Sequence, residues 1–128
     1  MDDAATDPIL VVSARWQTRA LLAAKLRERA ERDIVSVADV NAALGLIKLA
    51  SVDPIAMVMD AGRRVRPEDV ERLLEAKREV PLILVASRLR REAFDALRER
   101  CAAYLLRPVH IGRIVEAIVE VLESVGCQ

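Results

Sequence analysis

Ile55, Ala56, Met57, Val58 and Met59 form an unbroken apolar run with no helical period, closed by Asp60, Ala61 and Gly62. A short run bounded by turn signals reads as a strand buried on both faces. Such a strand needs cover on two sides, which restricts the chain to a layered arrangement with helices above and below a sheet. Asp60 falls at the strand's carboxyl end, where open parallel sheets place their functional crevice. An aspartate after a strand also serves as a helix cap or turn former, and position alone does not separate the two roles.

The remaining chain repeats the pattern. Ile9, Leu10, Val11 and Val12 form a compact first strand. Residues 17–31 follow as an amphipathic helix, with Ala20, Leu21, Ala24, Leu26 and Ala30 as its apolar positions and a basic outer face. Residues 33–37 alternate polar and apolar, as a more exposed strand does. Asp39 is placed to cap a helix reaching Leu49, with Val40, Ala43, Leu44 and Ile47 on one face. After the central strand, Pro67 suits a first helical position, and Glu68 and Asp69 suit the positive end of that helix. Val70, Leu73 and Leu74 supply its buried face.

Pro81 opens a fourth apolar run through Ala86, and residues 90–100 read as a helix with Phe94 and Leu97 inward. Residues 102–106 form a fifth strand ended by Arg107 and Pro108. A last helix from Ile111 to Ser124 buries Ile114, Val115, Ile118, Val119 and Leu122 before Gly126 stops it. Five strands alternating with five helices specify a doubly wound α/β fold, a parallel five-stranded sheet with right-handed crossovers. All 128 residues form one domain, with residues 1–7 as a frayed tail.

Composition removes several functions. Twenty basic and twenty acidic residues give a formal net charge of zero, so nothing draws the whole chain to nucleic acid or an anionic membrane. One Trp, one Tyr and one Phe are too few for base-stacking surfaces. Cys101 and Cys127 are far apart, outside any metal-binding spacing, and read as free thiols in a reducing cytosol. The acidic start lacks a signal peptide's basic and apolar regions, and no run is long enough to span a membrane, so a cytoplasmic protein is expected.

Chemistry in this architecture belongs to the loops after the strands. No Gly-rich phosphate loop is present, and His110, the only histidine, has no catalytic partners at motif spacing. Those loops do carry Arg15, Arg63, Arg64, Arg66, Arg88, Arg90, Arg91 and Arg107 around the single aspartate. Solvated surface arginines explain this as readily as an electropositive rim for a carboxylate, phosphate or acidic partner.

Together these residues resemble the receiver domain of two-component response regulators, a flavodoxin-like (βα)5 fold with strand order 2-1-3-4-5. The resemblance runs from Ile9 to about Leu122. Pro54 precedes Asp60 by six residues, Pro81 opens the fourth strand, and Arg107-Pro108 stands where the family has Lys-Pro. By this resemblance Asp60 is the candidate phosphoacceptor and Tyr104 the switch aromatic. The family's acidic pair, which binds magnesium, is replaced by Ser13 and Ala14, with Arg15 next. The family's Thr or Ser position falls on Ala86, with Ser87 one residue late.

A hard cation needs oxygen ligands to neutralise a transferring phosphoryl group, and these positions offer no carboxylate besides Asp60. The resemblance therefore implies an atypical receiver, not an enzyme, with weak or absent magnesium-dependent phosphorylation and no cofactor. Arg15 or Arg107 would pair with Asp60 in place of metal and lysine. Its partner would be a histidine kinase or downstream effector, or a second copy docked on the fourth helix, fifth strand and fifth helix. Two alternatives stand. In one, Asp60 accepts phosphate with magnesium, Arg107 binds the phosphoryl group and Ser87 supplies the hydroxyl. In the other, the arginine rim binds an anion or nucleotide. An output domain would lie in a partner or in further chain.

Overall fold

The computed structural model describes residues 8–126. The tail expected at 1–7 and Cys127 lie outside the described residues. Strands β1 (Ile9–Val12), β2 (Ile34–Val37), β3 (Ala56–Ala61), β4 (Leu82–Ser87) and β5 (Ala103–Arg107) form one parallel sheet in the order β2-β1-β3-β4-β5. Helices α1 (Trp16–Ala30), α2 (Val40–Lys48), α3 (Pro67–Ala76), α4 (Arg91–Phe94) and α5 (Ile111–Gly126) connect and follow them.

Side-chain alternation along the strands divides the interior into two cores. Leu10, Val12, Met57, Met59, Leu82 and Leu84 face α2, α3 and the α4 region, meeting Val40, Val70, Leu73 and Phe94. Ile9, Val11, Val58, Ile83 and Val85 face α1 and α5, meeting Leu22, Leu26, Ile114 and Ile118. Central β3 is buried at every position, as an unbroken apolar run requires, whereas edge strand β2 has none fully buried. Burying a large aliphatic side chain is worth about 1.5–3 kcal/mol, so these two layers supply most of the drive to fold.

Local chemistry fixes several boundaries. The Asp39 carboxylate accepts from the Ala42 N–H at 2.8 Å and caps α2. Pro67 opens α3, where the Asp69 carboxylate accepts from the Arg66 N–H at 3.0 Å. Helix α1 has neither device: Arg15 precedes it without a side-chain cap, and its first turn holds no acid.

Three expectations change. Along α1 the inward residues are Leu22 and Leu26, while Leu21 is about half exposed and Ala20 and Ala24 face solvent. Leu22, Leu26 and Ala30 recur every four residues, and that stripe overrides the neighbouring leucine. The helix expected over 90–100 is broken into a single α-turn between two 3₁₀ segments, Arg88–Arg90 and Asp95–Arg100. Phe94 and Leu97 are buried there nonetheless, because residues three apart align on a 3₁₀ turn. Asp60 lies within β3, whose pairing runs one residue past it to Ala61↔Ala86.

Candidate functional site

Strand parity decides which side chains meet at the carboxyl edge. Val11, Val58 and Leu105 all belong to the α1/α5 core. Ser13, Asp60 and Arg107, each two residues further on, therefore share that face. Val12 pairs with Met59, which sets Ser13 level with Asp60. Asp60 pairs with Val85, and Val85 with Leu105, so Arg107 starts two residues, or about 7 Å, beyond the aspartate. Only a long side chain returns across that distance.

Arg107 does return. Its Nη1 lies 2.8 Å from Asp60 Oδ1, and its Nη2 donates to the Ala61 carbonyl at 2.8 Å. Ser13 Oγ donates to Asp60 Oδ2 at 2.7 Å. Both oxygens of the buried carboxylate are thus engaged, one by a guanidinium and one by a buried hydroxyl. Ser13 is itself held in place, because the Arg15 N–H donates to its Oγ at 3.2 Å and Arg19 Nη1 donates to its carbonyl at 2.6 Å. Sequence reasoning passed over Arg19, since one more arginine on a basic helix carries no distinguishing signal.

Arg15 requires a correction. Its side chain is exposed and makes no ion pair with Asp60; only its backbone reaches the cluster, through Ser13. Ser13 and Arg107 are the side chains that meet the two Asp60 oxygens. Ala14 is exposed and contributes no oxygen-bearing side chain.

Magnesium does not fit these residues. The ion keeps several waters among its six oxygen ligands but needs one or two carboxylates free to bind it. Here the one carboxylate already accepts from Ser13 and pairs with an arginine. Among the described residues, no group of three or more His, Cys, Asp and Glu side chains is arranged to hold a metal.

The remaining expected site residues stand apart from Asp60. Ala86 is buried beside Ala61 and has no hydroxyl. Ser87 is level with Arg107, and its Oγ accepts from the Leu89 N–H at 3.2 Å, capping the 3₁₀ turn after β4. Tyr104 points away, its hydroxyl 3.2 Å from Asp95 Oδ1. Burial, then the hydrogen bond to Asp95, raises its pKa above that of a free tyrosine. Trp16 covers nothing in the crevice and is 64% exposed. Leu105, Ile111 and Val115 pack into the α1/α5 core and Leu106 against the opposite one. Burial pushes the Cys101 thiol up to about 11, which leaves it a weak nucleophile near neutrality.

Beside the Asp60 cluster, the loops after β1, β3, β4 and β5 border an open cleft of about 730 Å³. Arg15, Arg63, Arg88, Arg90 and Arg107 line it; Arg64, Arg66 and Arg91 do not. Arg90 works as a strap. Its Nη1 donates to the carbonyls of Gly62 and Arg63 at 2.7 and 3.3 Å, and its Nη2 to that of Val65 at 2.6 Å. The same guanidinium lies 5.0 Å from the centre of the Phe94 ring, within cation–π range.

Comparison with known proteins places this fold. No family model and no curated protein sequence matches the chain. Solved structures do. The receiver domain of NtrX from Brucella abortus superposes with a TM-score of 0.73 at 20% identity, covering 90% of this chain and 98% of that one. The receiver domain of the Francisella response regulator 1452 gives 0.74 at 15% identity, covering 94% and 99%. A streptococcal protein from a family of redox sensors that evolved from two-component response regulators gives 0.74 at 16% identity, over 92% of this chain and 52% of that one. The chain has the CheY-like receiver fold, five parallel strands in the order 2-1-3-4-5 with flanking helices. No helix among the described residues is long and apolar enough to cross a membrane.

Proposed function

We propose that this chain is an atypical receiver of two-component signalling, a module that acts through a protein partner and does not depend on magnesium-assisted phosphorylation. One observation carries the reading: Asp60 has Ser13 on one oxygen and Arg107 on the other. A phosphoacceptor needs an accessible carboxylate oxygen and a cation free to meet the incoming charge. At Asp60 the cation is already paired with the carboxylate and with the Ala61 carbonyl. The likeness to redox sensors derived from response regulators supports the idea that this scaffold serves signalling by other routes.

The partner is a histidine kinase or a downstream effector, and the α4–β5–α5 side, where Tyr104 and Asp95 lie, is the surface assigned to it. A second copy of the chain would use the same surface. Incubation with acetyl phosphate and magnesium, followed by intact-mass measurement, tests the central claim. The expected spectrum is unmodified protein. A stoichiometric phosphoryl adduct that disappears in Asp60→Ala establishes the alternative, a working phosphoacceptor.

A further inference from the structure

Acids and bases are equal in number in this chain, yet they are not evenly mixed. Arg72, Arg78, Arg100 and Arg113 each lie within 4 Å of an aspartate or glutamate. Arg27, Arg29, Arg64 and Arg98 have no ion pair among the described residues, but the cleft at the carboxyl edge gathers several such arginines together. The side chains of Arg15, Arg63 and Arg88 have no hydrogen-bond or ion-pair partner among the described residues. Arg90 is satisfied by neutral carbonyls, so its charge is not cancelled either. The carboxylate of Asp60 offsets Arg107 alone. Guanidiniums collected around one concavity repel each other, and the arrangement is stabilised by an anion between them.

We propose that this cleft binds a small diphosphate-bearing anion, held by Arg15, Arg63 and Arg88. The role goes beyond the signalling function above and does not rest on it. A volume of about 730 Å³ lies within the range of small-molecule sites, about 300–1,000 Å³. Guanidinium forks match phosphate oxygens in geometry as well as charge. Ser87, at the cleft wall, accepts from the Leu89 N–H and keeps its own proton to donate. The walls are held in advance, since Arg90 ties down the loop after β3 and Arg107 ties Ala61, which lowers the ordering cost of binding.

Apolar surface at the mouth extends the chemistry. Leu89 lines the cleft yet is 96% exposed, and Pro108 lines it too. A diphosphate that also carries an organic body, such as a nucleoside, has somewhere to rest it. Inorganic pyrophosphate shares the charged group without the body.

ADP and inorganic pyrophosphate are therefore the two probes, titrated separately into the full chain with EDTA present and about 0.15 M salt to screen diffuse attraction. Calorimetry reads affinity directly. The single tryptophan, Trp16, adjoins Arg15 and gives a fluorescence readout. Saturable, metal-independent binding is expected, weakened about tenfold in Arg63→Gln and in Arg88→Gln at unchanged urea midpoint. Tighter binding of ADP than of pyrophosphate supports the proposal with an organic ligand seated on Leu89 and Pro108; equal binding supports it with the diphosphate alone. No saturable binding of either probe at millimolar concentration overturns it, as does binding that both substitutions leave unchanged. Phosphorylation of Asp60 is covalent and magnesium-dependent, so its presence or absence is read separately.

Discussion

Two neighbouring parts of the carboxyl edge treat the same residue type in opposite ways. Around Asp60, each charged atom has a partner: Arg107 divides its guanidinium between a carboxylate and a carbonyl, and Ser13 takes the other oxygen. Across the adjoining cleft, Arg15, Arg63 and Arg88 have none among the described residues. Arg107 and Arg90 serve as structure, and three remain available for something outside the chain. The difference teaches that an arginine-rich rim is not one feature. Burial and partner count divide it into parts with different energetics.

Substitutions can break that division, and Arg107 has the largest expected effect. Arg107→Ala leaves a buried carboxylate with only Ser13, at a cost of about 3 kcal/mol in urea unfolding. Adding Asp60→Ala in the same chain should recover much of the loss, because the stranded charge is gone. A single-variant loss below about 1 kcal/mol shows instead that water reaches Asp60, and the contrast with the cleft collapses.

Arg90 comes next. Arg90→Ala removes three donations to the loop after β3 and is expected to cost about 2 kcal/mol. Amide exchange at residues 62–66 should rise with it. Arg90→Lys keeps the charge but not the planar fork, so it should rescue only in part. Full rescue by lysine sharpens the picture differently, making charge rather than geometry the feature that holds the loop.

Smallest of all are Arg15→Ala, Arg63→Ala and Arg88→Ala, each within about 0.5 kcal/mol of the parent. At low salt they should be neutral or slightly stabilising, since each relieves like-charge repulsion, and the gain should fade as salt is added. A loss above about 1 kcal/mol in any of them reveals a structural bond and moves that residue to the Asp60 side of the comparison.

Much of the fold was legible because apolar spacing and turn residues agree over most of the chain. The central run, the Asp39 cap and the Pro67 helix start all carry a local mechanism. The segment between β4 and β5 was read as a continuous helix because Phe94 and Leu97 are its only large apolar residues besides Leu89, and two inward residues three apart suit α- and 3₁₀-turns equally. Leu21 and Leu22 are adjacent, so the sequence marks a helix there without fixing its rotation.

At the site, the meeting of Ser13, Asp60 and Arg107 follows from strand parity and was open to anyone who extended each strand by two residues. That Arg15 turns outward was not, because Arg15 and Arg107 are both long cations at or just past a strand end and nothing in the sequence ranks one above the other. Arg90's grip on loop carbonyls was equally hidden, since backbone acceptors leave no mark in a sequence.

The loop after β3 has a consequence in the order of synthesis. Its carbonyls at Gly62 and Val65 wait 28 and 25 residues for Arg90, and Ala61 waits 46 for Arg107. Asp60 has Ser13 behind it from the start, 47 residues upstream, but its cation belongs to the last strand. A nascent chain that stops before β5 therefore has Ser13 beside that carboxylate and no cation facing it. The ion pair that neutralises Asp60 forms only once the last strand is in place.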